Sequence, residues 1–350
     1  MTKNGPQMTD RAPIEIAIAC YPGAQATSIH GLTDLFTYAE YWAQAHSPSV
    51  SPFVRISHWH PDAAGAMACT YKSLPGEIRT PALVIVPACS LAPPQPDIAP
   101  ITAAWVAQQH GAGATVAAVC GGVFLLADAG LLAGRRATTH WMFASELQRR
   151  HPDLRVDADR LLIDDHDVIT AGGVLAWADL GLSLVERLLG PTVMSSTAHF
   201  MLMDPPGREQ RFYGEFSPPL QHGDKTILEV QHWLQAHFAS GCAVSELAQR
   251  ANLGLRTFLR RFVKATGMRP SEYHQRLRIA RSRELLEFTR DSVEQIAVAA
   301  GYEDPGGFRR TFKRVIGLSP AEYRRRFQLK VAPAPRPEDS ASLRAPVPLP

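Results

Sequence analysis

Cys120 closes an apolar run at 114–119 and is followed at once by Gly121-Gly122-Val123-Phe124. That order reads as a buried strand turning sharply into a helix, with the cysteine at the turn. A thiol so placed can act as a nucleophile, because the glycines permit a strained turn and close approach of a ligand. The positive end of the helix is expected to lower the thiol pKa. The same pattern also fits a buried structural cysteine beside a glycine turn, and the spacing alone leaves both open. His58, His60, His110, His151 and His166 share no ligand spacing, so no metal site is expected. The five cysteines, at 20, 69, 89, 120 and 242, form no CxxC pair. That argues against a zinc knuckle or a disulfide framework and fits a reducing cytoplasm. No cofactor is expected.

A second set of residues suits a polyanion. Between 224 and 327 there are 19 Lys and Arg against 11 Asp and Glu, a net of +8, which leaves −5 for the rest of the chain. An acidic half joined to a basic half points to nucleic acid as the partner of the second half only. This basic half repeats itself. Val244, Leu247, Ala248 and Ala251 recur 49 residues on as Val293, Ile296, Ala297 and Ala300. Phe258, Arg260, Phe262, Gly267, Pro270 and Tyr273 recur 50 residues on as Phe308, Arg310, Phe312, Gly317, Pro320 and Tyr323. Each copy has the logic of a helix-turn-helix: a small-residue helix, a tight turn, then a helix that buries two Phe residues four apart. In the first copy Arg256, Thr257, Arg260 and Lys264 point elsewhere, with Arg261 beside them. In the second, Arg309, Arg310, Lys313 and Arg314 supply the charge, Asp304 suits the N-cap and Pro305 the first helical position.

The elements that must position these residues divide the chain. In the first half, apolar runs at 14–20, 53–58, 83–87, 115–120 and 168–170 alternate with helical patterns at 98–109, 123–132 and 175–189. Alternation of this kind predicts an α/β domain with a largely parallel sheet. The second half has no strand pattern and reads as helices throughout. Pro205-Pro206-Gly207-Arg208 and Pro218-Pro219 mark a linker over 204–223, and the Pro-rich segment 331–350 reads as a disordered tail. The domains are therefore expected at 13–203 and 224–327. The nearly uncharged stretch 111–134 is long enough to span a bilayer, but its six glycines fit a strand, turn and helix better. The run at 14–20 is too short for a signal h-region and contains Glu15.

Two resemblances sharpen this reading. From Lys225 to Phe327 the chain resembles the DNA-binding domain of AraC/XylS-type bacterial transcription regulators. The resemblance rests above all on Gly301-Tyr302-Glu303-Asp304-Pro305, on Phe308-Arg309-Arg310-Thr311-Phe312-Lys313 and on Gly317-Leu318-Ser319-Pro320-Ala321-Glu322-Tyr323-Arg324. It implies two helix-turn-helix units joined by a long helix near 271–288, with recognition helices at 255–264 and 305–314 entering successive major grooves. Gly306 and Gly307 depart from the family by offering no side chain to a base. Their backbone N–H groups are expected to be free for a phosphate, with Arg309 and Arg310 behind them. Over residues 13–200, Cys120 through Gly134-Arg135-Arg136-Ala137-Thr138-Thr139-His140-Trp141, with Tyr21-Pro22-Gly23 and Ala171-Gly172-Gly173, resembles the ThiJ/PfpI-like amidotransferase superfamily. Within it the chain is similar to GlxA-type regulators, where such a domain precedes an AraC-type one.

The expected fold is thus a flavodoxin-like, amidotransferase-like parallel-sheet sandwich plus an all-α domain with two helix-turn-helix units. The resemblance implies a transcription factor bound to double-stranded operator DNA, cytoplasmic and not in a membrane, forming a homodimer through the N-terminal domain. A small-molecule effector would bind near the elbow, with Cys120, Gly121 and His140 as pocket residues. The alternative is a cysteine-dependent amidase or hydrolase. Hydrolytic relatives place an acid near the sulfur; the aligned position here is Ser28, and His30 and Asp34 sit off the motif. No catalytic residue is therefore expected.

Overall fold

Continuous apolar runs can be buried on both faces only inside a parallel sheet covered by helices, and that is where they lie. The structure is a computed structural model that describes residues 12–47, 53–216 and 218–329. The segment 331–350, expected as a tail, lies outside the described residues. The chain forms two units that part between Gly214 and Glu215.

The first unit runs β1 (Ile14–Ala19), α1 (Ala26–His46), β2 (Val54–Pro61), β3 (Met67–Lys72), β4 (Leu83–Val86), α2 (Pro100–Gly111), β5 (Thr115–Val119) and α3 (Val123–Asp128). It continues with β6 (Arg136–Ala137), α4 (Ala144–Arg150), β7 (Arg155–Val156), β8 (Leu162–Asp165), β9 (Val168–Ala171), α5 (Ala176–Leu189) and α6 (Pro191–Phe200). Seven strands make one sheet in the order β3-β2-β1-β4-β5-β9-β8. The five inner strands are parallel, and β3 and β8 pair antiparallel at the two edges. Side chains alternate across β1: Ile16 and Ile18 join the core under α1 and α5, whereas Ala17 and Ala19 join the core containing Phe124, Leu126 and Val106. Helix α3 ends at Asp128, short of the expected 132, because Gly130 turns the chain at φ +76°. Helix α1 has no counterpart in the sequence reading. Gly31 in its second turn is there for space, since a Cβ would lie 2.5 Å from the Trp177 ring.

One buried histidine makes this unit acid-sensitive. His58 on β2 is 6% exposed, and its Nε2 lies 2.8 Å from the Thr33 hydroxyl, which itself donates to the Ile29 carbonyl. The imidazole must therefore donate its Nε2 proton to Thr33. Burial, then the neighbouring His30 and His60, push its pKa down to about 4. Between that value and the ordinary one of about 6.5, the unfolded chain binds a proton that the folded chain refuses. The stabilisation is present above about pH 6.5 and is lost as pH falls through about 4, with a size on the order of 2–3 kcal/mol. Urea titrations of wild type and His58→Gln across that window check this. Equal pH slopes for the two proteins would sink it.

The second unit is α7 (Lys225–Ala236), α8 (Val244–Arg250), α9 (Leu255–Thr266), α10 (Pro270–Phe288), α11 (Val293–Ala299), α12 (Pro305–Ile316) and α13 (Pro320–Phe327). The repeat seen in the sequence is a repeat in space. Asn252 and Gly301 hold the two helix-turn-helix turns at φ +52° and +82°, and Gly267 and Gly317 stop α9 and α12 at φ +73° and +90°. Phe258 lies 5.5 Å from Phe262 and Phe262 5.4 Å from Tyr273, centre to centre; the second copy repeats this at 5.7 and 5.5 Å with Phe308, Phe312 and Tyr323.

The stretch 204–223, expected as a linker, divides between the units. Arg208 donates to the buried Asp179 at 2.9 Å. The Gln210 side chain, 2% exposed, accepts from the Trp141 N–H and donates to the Thr139 and Ala158 carbonyls. Phe216 packs edge-on against Tyr273 in the second unit, and the Pro219 carbonyl accepts from Gln231.

A candidate nucleic-acid interface and a buried cysteine elbow

Helix α9 buries Phe258 and Phe262 completely and leaves Arg256, Arg260 and Lys264 exposed. Residues four apart fall on one stripe, so the three cations line a single face, with exposed Thr257 beside them. Among the described residues none of the three cations makes an ion pair. The helix starts at Gly254 without a side-chain cap, so no side chain occupies its first-turn N–H groups. Arg261 has a different task. It pairs with Asp224, the N-cap of α7, at 2.9 and 2.6 Å, and holds that carboxyl below the usual carboxylate range.

Helix α12 presents Arg309, Arg310, Lys313 and Arg314, all exposed. Three of them have neighbours: Arg309 pairs with Glu294, Arg310 with Asp304 at 3.3 Å, and Arg314 donates to Gln275 at 2.7 Å. One expectation is overturned here. The Gly306 and Gly307 N–H groups are not free for a phosphate, because they donate to the two Asp304 oxygens at 2.8 and 2.7 Å. An aspartate at the N-cap satisfies the orphan donors of the first turn itself. Those two N–H groups, with Arg310, hold the Asp304 carboxyl below its ordinary pKa, so it is charged at neutral pH. The uncapped N-terminus is that of α9, not of α12.

The elbow has the expected shape and unexpected chemistry. Cys120 sits at φ +55°, a left-handed conformation rare for a residue with a side chain. It is held there by the Thr139 hydroxyl, which donates to its carbonyl at 2.7 Å. The two glycines are required by crowding. A Cβ on Gly121 would lie 2.2 Å from the Cys89 sulfur, and one on Gly122 would lie 2.3 Å from the Pro87 carbonyl oxygen. The thiol itself is fully buried. Its hydrogen bond to Cys89, then burial, pushes Cys120 far above the ordinary thiol range, against the pull of the Gly121 and Gly173 N–H groups. The helix end therefore does not win at Cys120, and the same contact draws the Cys89 thiol below its ordinary range, so the two sulfurs share one hydrogen bond. Cys89 was visible in the sequence only as one of five scattered cysteines. The signal that would have found it is its place just past β4, since adjacent parallel strands bring their carboxyl ends together.

His140 is half-buried and caps the turn that follows it, its Nδ1 accepting from the Met142 N–H at 3.2 Å. Its ring packs against Trp141 and Phe143, and burial lowers its pKa. Among the described residues it makes no hydrogen bond to Cys120. Ser28, in the acid position, is fully buried and accepts from the Ala88 N–H at 3.3 Å, fastening the loop that carries Cys89. His30 and Asp34 are exposed on α1. Among the described residues no three His, Cys, Asp or Glu side chains group to hold a metal.

Thiol labelling checks the elbow. Half-buried Cys69 and Cys242 are expected to react first with a small alkylating reagent near neutral pH. Cys120 should react on the order of 10²-fold more slowly, waiting for local opening. Mass spectrometry that found Cys120 labelled first would show an exposed thiolate instead.

Comparison with known proteins gives two family matches. Residues 247–326 match the model of a helix-turn-helix domain, and residues 77–187 match the DJ-1/PfpI family. The chain is 29% identical over 260 residues to the HTH-type transcriptional regulator CdhR of Pseudomonas aeruginosa, covering 71% of this chain and 74% of that one. It is 26% identical over 217 residues to the HTH-type transcriptional regulator GlxA of Rhizobium meliloti, covering 61% of this chain and 66% of that one, just under two thirds of its length. A crystal structure of a ThiJ/PfpI family protein from Pseudomonas syringae overlays with a TM-score of 0.42 at 21% identity, over 72% of this chain and 96% of that one. Among the described residues no helix is long and apolar enough to cross a membrane.

Proposed function

We propose that this chain, a DJ-1/PfpI family domain followed by an AraC-type helix-turn-helix domain, reads operator DNA with α9 and α12 and answers to a small metabolite bound near the Cys120 elbow. The protein is a DNA-binding transcription regulator. The observation that carries the DNA-reading part is the duplicated helix pair, matched in core and turns, with an exposed cationic stripe on each second helix. The test is selection of duplexes from a random pool by the full-length protein. A bipartite site is expected, and residues 12–214 alone should retain nothing. Retention by that fragment would overturn the assignment.

The first unit is read as a sensing and dimerising domain, not a catalyst. The burial of both Cys120 and Cys89 and a serine in place of the acid support that reading, because a nucleophilic thiolate must be reachable by its substrate. Exposed aromatic surface on α1 and α6, where Tyr41 is 63% and Phe200 55% exposed, supports a homodimer contact in this unit. Sedimentation of residues 12–214 tests it. A Cys120-dependent hydrolysis of amides by the purified protein would overturn the non-catalytic role.

The two reading helices are expected to contribute unequally. Arg256 and Arg260 are free to grip a guanine edge, each good bidentate pair giving about 1–3 kcal/mol of discrimination. Arg310 must first leave Asp304, whose charge faces the same side. Arg256→Ala and Arg260→Ala should relax preference at particular bases, whereas Arg310→Ala should weaken all sequences evenly and less. Selection by each variant on randomised duplexes decides this, and a base shift confined to Arg310→Ala would reverse the assignment.

A further inference from the structure

The two helix-turn-helix units have separate cores that meet on one helix. Tyr273 and Leu277 of α10 belong with the first core, and Ile279 and Leu286 with the second. Arg278 stands at the changeover. The joint beside it is not filled by apolar side chains: it holds a cleft of about 170 Å³ lined by Cys242, His274, Gln275, Arg278 and Tyr302, among others. What closes the joint is polar. Arg278 Nε donates to the Phe238 carbonyl at 2.8 Å, and one terminal nitrogen donates to the Ala239 and Ser240 carbonyls at 3.3 and 3.0 Å. His274, one turn earlier, reaches the same Phe238 carbonyl at 2.8 Å. These three carbonyls lie in the loop between α7 and α8, on the side of the first helix-turn-helix.

That loop is pressed against the second helix-turn-helix. A Cβ on Gly301 would lie 2.1 Å from the Ala239 oxygen, so the two backbones touch where no side chain fits. Gly301 forms the turn of the second helix-turn-helix, and its neighbour Tyr302 carries the Arg278 guanidinium 5.6 Å from its ring centre. Three residues after Gly301, Asp304 caps α12. The loop, the arginine and the turn thus set where the second recognition helix begins relative to the first.

We propose that Arg278 is the positioning residue that fixes the setting of the second helix-turn-helix on the first, and so the spacing between the two DNA half-sites that the protein accepts. The inference rests on the DNA-reading function proposed above. A rigid fork donating to consecutive carbonyls constrains rotation as well as distance, which a lysine ammonium on a flexible stem does not. One added base pair moves a half-site by about 3.4 Å and turns it by about 35° around the duplex. A joint held by this fork cannot follow both changes.

The experiment uses the full-length protein and the duplex that it selects from a random pool. One base pair is then inserted or deleted between the half-sites. Wild type is expected to lose about 10- to 100-fold in affinity for each change. Arg278→Lys and Arg278→Gln should bind the original spacing within about tenfold of wild type but discriminate the altered spacings by less than about threefold. Lysine keeps the charge, so a direct phosphate contact by Arg278 would leave Arg278→Lys like wild type, and that result would overturn the proposal. A merely structural role would lower affinity at all spacings by one factor, which would overturn it too. Selection of no bipartite site by wild type would instead defeat the DNA-reading assignment and this inference with it. A selected bipartite site with unchanged spacing preference in both variants defeats the inference alone.

Discussion

Raising salt from about 50 to about 200 mM is expected to weaken binding of the protein to duplex DNA about 10³-fold, for about six phosphates neutralised and a slope of log affinity against log salt near −5. The motivation is the distribution of charge: +8 between 224 and 327, against −5 elsewhere. The cations expected to contribute most are those without an ion pair. Arg256, Arg260 and Lys264 project from α9 with no ion pair among the described residues, and Lys313 does the same on α12. Arg309 and Arg310 already neutralise Glu294 and Asp304. Their contact with a phosphate exchanges one ion pair for another and releases fewer counterions. Lys264→Ala should therefore flatten the slope by about 0.9, the value of one contact, and Arg309→Ala by less. Asp304→Asn keeps an N-cap acceptor for one of the two glycine N–H groups while removing the charge that holds Arg310, so its slope should steepen by up to about 0.9. Anisotropy titrations at several salt concentrations supply the slopes. A wild-type slope shallower than about −2 would mean that the basic half is a solvated surface and not a polyanion site.

The inner strands were legible because burial on both faces demands unbroken apolar runs, as in Leu83-Val84-Ile85-Val86. The edge strands were not, because one side of an edge meets solvent and its sequence can be mixed, as in Met67 to Lys72 or Leu162 to Asp165. The helix-turn-helix pairs were legible through their repetition, which no single copy would have secured. Two features of the site were hidden because each depends on a partner distant in sequence. The pKa of Cys120 is set by Cys89, 31 positions away, and not by the helix that follows it. Arg261, counted among the DNA-facing cations, is committed to Asp224. The fate of the Gly306 and Gly307 N–H groups lay closer to hand: Asp304 was recognised as an N-cap, and an N-cap carboxylate consumes the donors that a phosphate would need. The segment 204–214 looked like a linker from its prolines, yet Arg208, Gln210 and Phe212 are buried or half-buried against the first unit. Proline and glycine mark irregular backbone, and irregular backbone can be packed.

Arg55→Ala is expected to destabilise the first unit by about 3–5 kcal/mol while leaving the second unit's transition in place. Glu15, which in the sequence only interrupts an apolar run, lies on β1 at 3% exposure. Its partner Arg55, on the neighbouring β2, is 5% exposed and donates from Nε to both carboxylate oxygens at 2.9 and 3.1 Å. The same guanidinium donates to the Pro75 and Glu77 carbonyls, tying the connection that leads into β4. Removing the arginine strands a buried carboxylate and two carbonyls together, and an unpartnered charge in a dry core costs far more than the pair itself contributes. That asymmetry makes the test specific. Replacing both residues, as Glu15→Leu with Arg55→Leu, removes the charge along with its partner and should recover most of the loss. Denaturant titrations read by near-UV signals of the first unit measure both variants. If the double variant is as unstable as Arg55→Ala, the cost lies in the lost carbonyl contacts at Pro75 and Glu77 and not in the uncompensated charge of Glu15.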